Sequence, residues 1–291
     1  MINALTIDVE DYFHVQAFAD VIPSTDWHRY SLRVEENTYR LLEMLAARNI
    51  HATFFVLGWV AQRCAPLVAD ILKAGHEIGS HGYAHQMIAR GRQKDFREDV
   101  RRSKSILEDQ LGRAVKSYRA PSYSITSSTL WALEILREAG FECDSSIFPV
   151  HHDNYGMPNA PRFPHYRTLR DGERILEFPP STIEAYGVNF PMAGGGYFRL
   201  LPYSLTAWAI RRINEKEKQP ALLYFHPWEI DPEQPRIAAS WRSRFRHYQN
   251  LHSTEAKLTR LFDDFSWAPM SKVLVSSLGG ANSIDEVADG L

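Results

Sequence analysis

Several short apolar runs in this chain each stop on residues with chemistry to offer, and that pattern restricts the fold more than any other feature. Residues 4–9 (ALTIDV) run into Asp8, Glu10 and Asp11, and a short run at 76–79 leads into Ser80-His81-Gly82-Tyr83-Ala84-His85. A run at 117–119 leads into Tyr118-Arg119-Ala120-Pro121, residues 221–225 (ALLYF) deliver His226, and Asp144 ends a fifth run within FECDSS. Runs this short, rich in β-branched and aromatic residues, read as buried strands. Helical spacing fills the intervals at 35–48, 59–74, 95–111, 130–139, 206–218 and 254–265. The alternation predicts one α/β domain around a mostly parallel sheet or barrel, with the run at 273–275 closing the sheet. Two stretches interrupt it and read as long aromatic loops: 148–203, and a Pro-rich then basic segment at 227–252. Loops of that length in a compact domain are commonly functional.

Composition narrows the partners. The 291 residues are 44% hydrophobic, enough for one large core or two small ones. Thirty-three Lys plus Arg against 35 Asp plus Glu leave a formal charge of −2, so no net positive field draws in nucleic acid or anionic lipid. Cys64 and Cys143 are too few for a disulfide framework and read as buried small hydrophobes in a reducing compartment. The opening MINALTIDVEDYF lacks a basic n-region, and no apolar run approaches the roughly 20 residues of a membrane span. The expectation is a cytoplasmic protein with no nucleic-acid partner and no transmembrane segment.

In such folds ligands gather outside the C-terminal ends of the strands. A strand-end Asp is most often a cap, two histidines four apart arise by chance, and His226 before a proline fits a satisfied half-buried imidazole. The constellation says more. Two imidazoles and one carboxylate leave a coordination position open, which suits a catalytic Zn²⁺, and a second carboxylate is then available as base.

The ordered set ALTID-VED, SHGYAH, YRAP, CDSS and YFHP resembles the motif signature of the carbohydrate esterase family 4 (NodB-homology) polysaccharide deacetylases. It spans residues 4 to 226, and the overall layout is similar to deacetylases found with bacterial exopolysaccharide loci. The resemblance implies an irregular (β/α)7 barrel: a single domain over 1–291, with a core of about 1–226 and a C-terminal extension at about 227–291. It implies metal-dependent removal of N-acetyl groups from a glycan, with one divalent ion per chain, Zn²⁺ in the first instance. Asp8 matches the base and Arg119 the arginine that orients it. His81 and His85 match the metal-binding histidines, and the carboxylate ligand is Glu10 or Asp11. Pro121 and Tyr123 match the segment that offers a backbone N–H to the oxyanion. His226 matches the general acid and Asp144 the acid that tunes it, while Tyr224 stands where a Leu usually lines the acetyl pocket. Trp228 and other aromatics of the two long stretches offer faces on which sugar rings stack. Two other readings are a C–N hydrolase acting on a small cyclic amide or ureide, as in allantoinase-like relatives, and a noncatalytic glycan-binding protein. The cytoplasmic expectation extends to an assembly at the inner membrane.

Overall fold

A computed structural model describes residues 1–152 and 155–278. Its strands are β1 (Ile2–Val9), β2 (Thr53–Val56), β3 (Glu77–Ser80), β4 (Ser117–Tyr118), β5 (Cys143–Asp144), β6 (His165–Thr168), β7 (Arg174–Glu177), β8 (Thr182–Ala185), β9 (Val188–Pro191), β10 (Leu222–Phe225) and β11 (Ser266–Ala268). Parallel pairing runs in the order β10-β1-β2-β3-β4-β5-β7. The two ends of that row are bridged by the chain just after β7: Ser181 N–H donates to Leu222 O at 3.2 Å, and Leu222 N–H donates to Ser181 Oγ at 2.7 Å. The result is the irregular seven-stranded α/β barrel that the alternation and the resemblance predict. β11 adds a parallel partner at the start of β1, β6 runs antiparallel to β7, and β8 and β9 form a separate hairpin.

Period-2 alternation on β1 sorts its side chains between two cores. Leu5, Ile7 and Val9 face outward against helix residues such as Leu41, Val60, Leu67 and Leu107. Ala4 faces inward with Phe55, Cys143, Phe178 and Leu222, which fill the lumen from the strand starts at Ala4, Cys143 and Leu222 up to Phe55 at the level of Asp8. Met270, Val273 and Leu274 of the helix Met270–Leu278 belong to the same inner cluster and plug that end. Burying Met270 completely is worth about 1.5–3 kcal/mol.

The run at 273–275 is therefore helix and not a closing strand. Three apolar residues carry no period, whereas 270, 273 and 274 share a helical face. The run 59–74 divides into Gly58–Arg63 and Ala65–Lys73, because Pro66 fits the first turn of a helix but not its interior. The stretch 148–203 is not loop throughout: it holds β6 to β9 and the helix Gly195–Leu200, and β7 is one of the barrel strands. Residues 227–278 join the same fold through β11 and the plug helix, and 279–291 of the expected extension lie outside the described residues. Cys64 and Cys143 are buried free thiols. No helix among the described residues is long and apolar enough to cross a membrane.

Candidate active site

Thr6 and Asp8 share the inward face of β1 with Ala4, two and four residues further along, so the lumen turns polar toward the strand ends. Arg119, the residue after β4, lies inside it and is fully buried. Its Nη1 donates to Thr6 Oγ1 and to Asp8 Oδ1, both at 2.7 Å, and its Nη2 donates to Ser145 Oγ at 2.8 Å. The Phe55 ring lies 4.2 Å from the guanidinium carbon. A buried charge is tolerated when it is paired and hydrogen-bonded, and Arg119 is both.

Glu10, His81 and His85 bring one donor atom each to within 4.8 Å of one another, all buried. His81 Nδ1 lies 2.9 Å from Arg119 O. A carbonyl only accepts, so Nδ1 carries the proton and Nε2 keeps its lone pair for a ligand. Burial, assisted by His85 and Arg119, lowers the His81 pKa to about 4 against the pull of Asp8 and Glu10, so the imidazole is neutral at neutral pH. His85 Nε2 sits 2.7 Å from Glu10 Oε2, an oxygen with no properly formed hydrogen bond. Burial pushes the Glu10 carboxyl up, but the His85, His226 and His81 imidazoles outweigh it and hold the acid below its ordinary range. An under-satisfied buried carboxylate oxygen facing two imidazoles is a donor set that a divalent cation fits.

The loop between the two histidines is tight because Gly82 and Asp99 shape it. Gly82 has φ +71, and a Cβ there would stand 2.8 Å from Asp99 Oδ2. That carboxylate accepts from Tyr83 N–H at 2.7 Å and Ala84 N–H at 2.9 Å, folding His85 back toward His81.

Asp11 lies outside this cluster. Its Oδ1 accepts from Tyr12 N–H at 2.9 Å, and its Oδ2 accepts from Arg33 N–H at 2.7 Å and Val34 N–H at 2.9 Å. Those last two donors belong to the start of the helix Val34–Ala46, so Asp11 serves as a remote helix cap. Of the two candidate carboxylates, the structure brings Glu10 to the histidines. The turn at β1's end directs neighbouring side chains apart.

His226 follows β10 with its side chain 17% exposed, the most open member of the group. Its Nε2 lies 3.4 Å from Glu10 Oε1 and 4.0 Å from Asp8 Oδ2. Asp144 does not reach it. That acid is fully buried at the end of β5, accepts from Ser146 Oγ at 2.5 Å, and shares a hydrogen bond with Glu177. The residue beside His226 Nδ1 is Glu229, with Oε1 at 2.6 Å, and Arg199 Nε holds the other Glu229 oxygen at 2.8 Å. Burial lowers the His226 pKa, but the Glu10, Glu229 and Asp8 carboxylates outweigh it and raise it to about 9. The sequence reading missed Glu229 and Arg199. A signal was present: His226 and Glu229 occupy the two positions of a capping box on the turn Pro227–Ile230.

Trp228 is buried, stacked between the rings of His226 (5.1 Å) and His247 (4.2 Å), with its Nε1 3.4 Å from Glu10 Oε1. It supports the histidine rather than presenting a face to a sugar. Tyr123 and Tyr224 pack together at 4.7 Å beside Arg119, and both are buried. Pro121 opens a turn in which Ser122 (φ +54) and Tyr123 (φ +52) are both left-handed, a costly conformation of the kind that clusters at functional sites. The Tyr123 N–H is taken by Ala120 O at 3.1 Å, so it is not available to an oxyanion in this arrangement.

Comparison with known proteins divides the chain near residue 144 and not at the 226/227 boundary expected from the sequence. A family model described as polysaccharide deacetylase matches residues 20–143, and one described as a domain of unknown function (DUF3473) matches residues 145–275. A peptidoglycan-N-acetylglucosamine deacetylase of Bacillus cereus is 35% identical over 100 residues, covering 34% of this chain and 36% of that protein. A peptidoglycan deacetylase of Helicobacter pylori is 30% identical over 114 residues, covering 39% and 37%. The chain thus spans little more than a third of those two relatives. Among solved structures, a Mycobacterium smegmatis protein assigned as a polysaccharide deacetylase superposes with a TM-score of 0.59 at 22% identity, over 94% of this chain and 89% of that one. A mutant of a carbohydrate esterase family 4 pseudoenzyme gives 0.51 at 13% identity, over 94% and 67%. At such identities the likeness is one of fold. The family match and the relatives agree that residues 20–143 belong to a polysaccharide deacetylase domain, and the barrel has the fold of solved structures of the carbohydrate esterase family 4 (NodB-homology) kind.

Proposed function

We propose that this protein removes N-acetyl groups from an acetamido-sugar polymer, releasing acetate and a free amine, with one divalent ion, zinc in the first instance, held by Glu10, His81 and His85. The observation that carries the reading is the convergence of that donor set with Asp8 and His226 at one end of the lumen. A divalent ion bound there supplies Lewis acidity and brings the pKa of a water from near 16 towards about 7. Asp8 has one oxygen tied to Arg119, and the other faces the cluster and takes the proton of the water that attacks the amide carbon. His226 gives its Nε2 proton to the leaving nitrogen as the C–N bond breaks, the bonding electrons remaining on that nitrogen. The peptidoglycan deacetylases among the relatives support an acetylated glycan as substrate and lend nothing to the cyclic-amide alternative. Exopolysaccharide biosynthesis and a cytoplasmic or inner-membrane-associated setting extend the same proposal.

The test is acetate release from a panel of N-acetylglucosamine oligomers, peptidoglycan fragments and acetylated exopolysaccharide, with metal counted per chain. The proposal expects activity that chelation removes and divalent metal restores. Release from none of them by metal-loaded protein would refute it.

A further inference from the structure

We propose that Glu229, clamped by Arg199, is the positioning residue that aims His226 at the leaving nitrogen, so that the part of the chain matched by the family model of unknown function, residues 145–275, supplies the proton-donating side of the site. The inference rests on the deacetylase reading for what the donated proton does, but its geometry is independent of the sugar.

Glu229 Oε1 accepts twice from one residue, from His226 Nδ1–H at 2.6 Å and from its backbone N–H at 3.1 Å. Both bonds fix the ring about its attachment, and because a carboxylate only accepts, the proton on Nδ1 leaves Nε2 as the atom that exchanges protons. Trp228 stacks on one ring face at an interplanar angle of 21°. Glu229 is itself held. Its Oε2 receives Arg199 Nε, and three further Arg199 N–H groups go to the backbone carbonyls of His247 (2.6 Å), Gln249 (3.0 Å) and Arg246 (3.2 Å). Arg199 is 2% exposed, and a buried arginine held by four hydrogen bonds fixes geometry more than it adds stability. The backbone makes room for the pair: a Cβ at Gly195 would stand 1.7 Å from Glu229 Oε2. Asp144, the acid the motif designates for this task, is committed to Ser146 and Glu177.

A proton donor matters in proportion to how poor the leaving group is. The test therefore follows metal-loaded full-length protein over acetate esters ranging from 4-nitrophenyl acetate to simple alkyl acetates, alongside N-acetylglucosamine oligomers. For Glu229→Gln, kcat/KM is expected to fall about 100-fold on alkyl esters and amides and to stay within about threefold on 4-nitrophenyl acetate. The pair His226→Ala and Glu229→Gln combined should be no slower than His226→Ala alone, because Glu229 acts through that ring. If Glu229→Gln fails to fold, Arg199→Lys carries the same leaving-group comparison. Equal loss on every substrate, no loss at all, or additive effects in the double variant would each overturn the clamp. Wild-type protein that shows the leaving-group pattern on esters but frees no acetate from glycans overturns the glycan reading and leaves the clamp standing. Wild-type protein inert on every substrate overturns both.

Discussion

The two ends of the barrel lumen each bury a glutamate, and the two acids behave in opposite ways. At the upper end Glu10 is surrounded by three imidazoles, which hold it ionised despite complete burial. At the lower end Glu77 meets hydroxyls and backbone N–H groups, and burial raises it to about 7. Thr53 Oγ1 donates to it at 2.7 Å, Ser271 hydrogen-bonds it from the plug helix, and Thr53 Oγ1 in turn accepts Met270 N–H at 2.8 Å. Burial is the largest influence on both acids, so the difference is made by the neighbours. The lower end spends its polar groups on closing the barrel. The upper end leaves donor atoms facing one another, an arrangement that a bound cation completes and that no packing requirement explains.

Substitutions that break this contrast should differ in size and in kind. His81→Ala removes one ligand from the upper end and is expected to cost metal and turnover together, on the order of 10⁴-fold in kcat/KM; metal analysis that still finds one ion per chain would contradict the donor set. Asp8→Asn should lower kcat about 10³-fold while the metal stoichiometry is unchanged, which separates base from ligand. Glu77→Gln tests the lower end. A folded pKa raised from 4.5 to about 7 means that its neutral form favours folding below about pH 4.5, and that this contribution is lost as pH rises through about 7. The variant should therefore match wild type in denaturant unfolding near pH 4 and exceed it near pH 8, by up to about 3 kcal/mol. Asp11→Ala is the smallest and most pointed case. It should cost about 2 kcal/mol of stability through three stranded backbone N–H groups, yet leave metal binding and the pH profile of turnover as they are.

Legibility in the sequence followed locality. The strand-end acids, the two histidines and His226 were readable because the motif spacing lies within a few residues and the apolar runs announce the strands. Arg119 bonds to Asp8 across 111 positions, and only the family resemblance linked them. Glu10 and Asp11 are adjacent, and no periodic rule settles which of two neighbours at the end of a strand turns inward. β7 escaped notice because its four residues, RILE, begin and end with charge, and its place in the barrel comes from pairing with β5 on one side and β6 on the other. Glu229 was hidden by Asp144, which fits the motif while being occupied elsewhere.

The glycine pair at 194 and 195 has one further implication. Gly194 has φ +95 and presses on Tyr224, where a Cβ would come within 2.4 Å of Oη, while Gly195 has no room for any side chain because the Glu229 carboxylate fills the space. The acid and the small residue are thus a matched set some thirty positions apart. Among homologues, a chain that replaces Glu229 with something shorter is free to accept alanine or serine at 195, and a chain that keeps the acid is not. That linked choice is a fingerprint by which proteins sharing this proton-donating arrangement can be sorted from sequence alone.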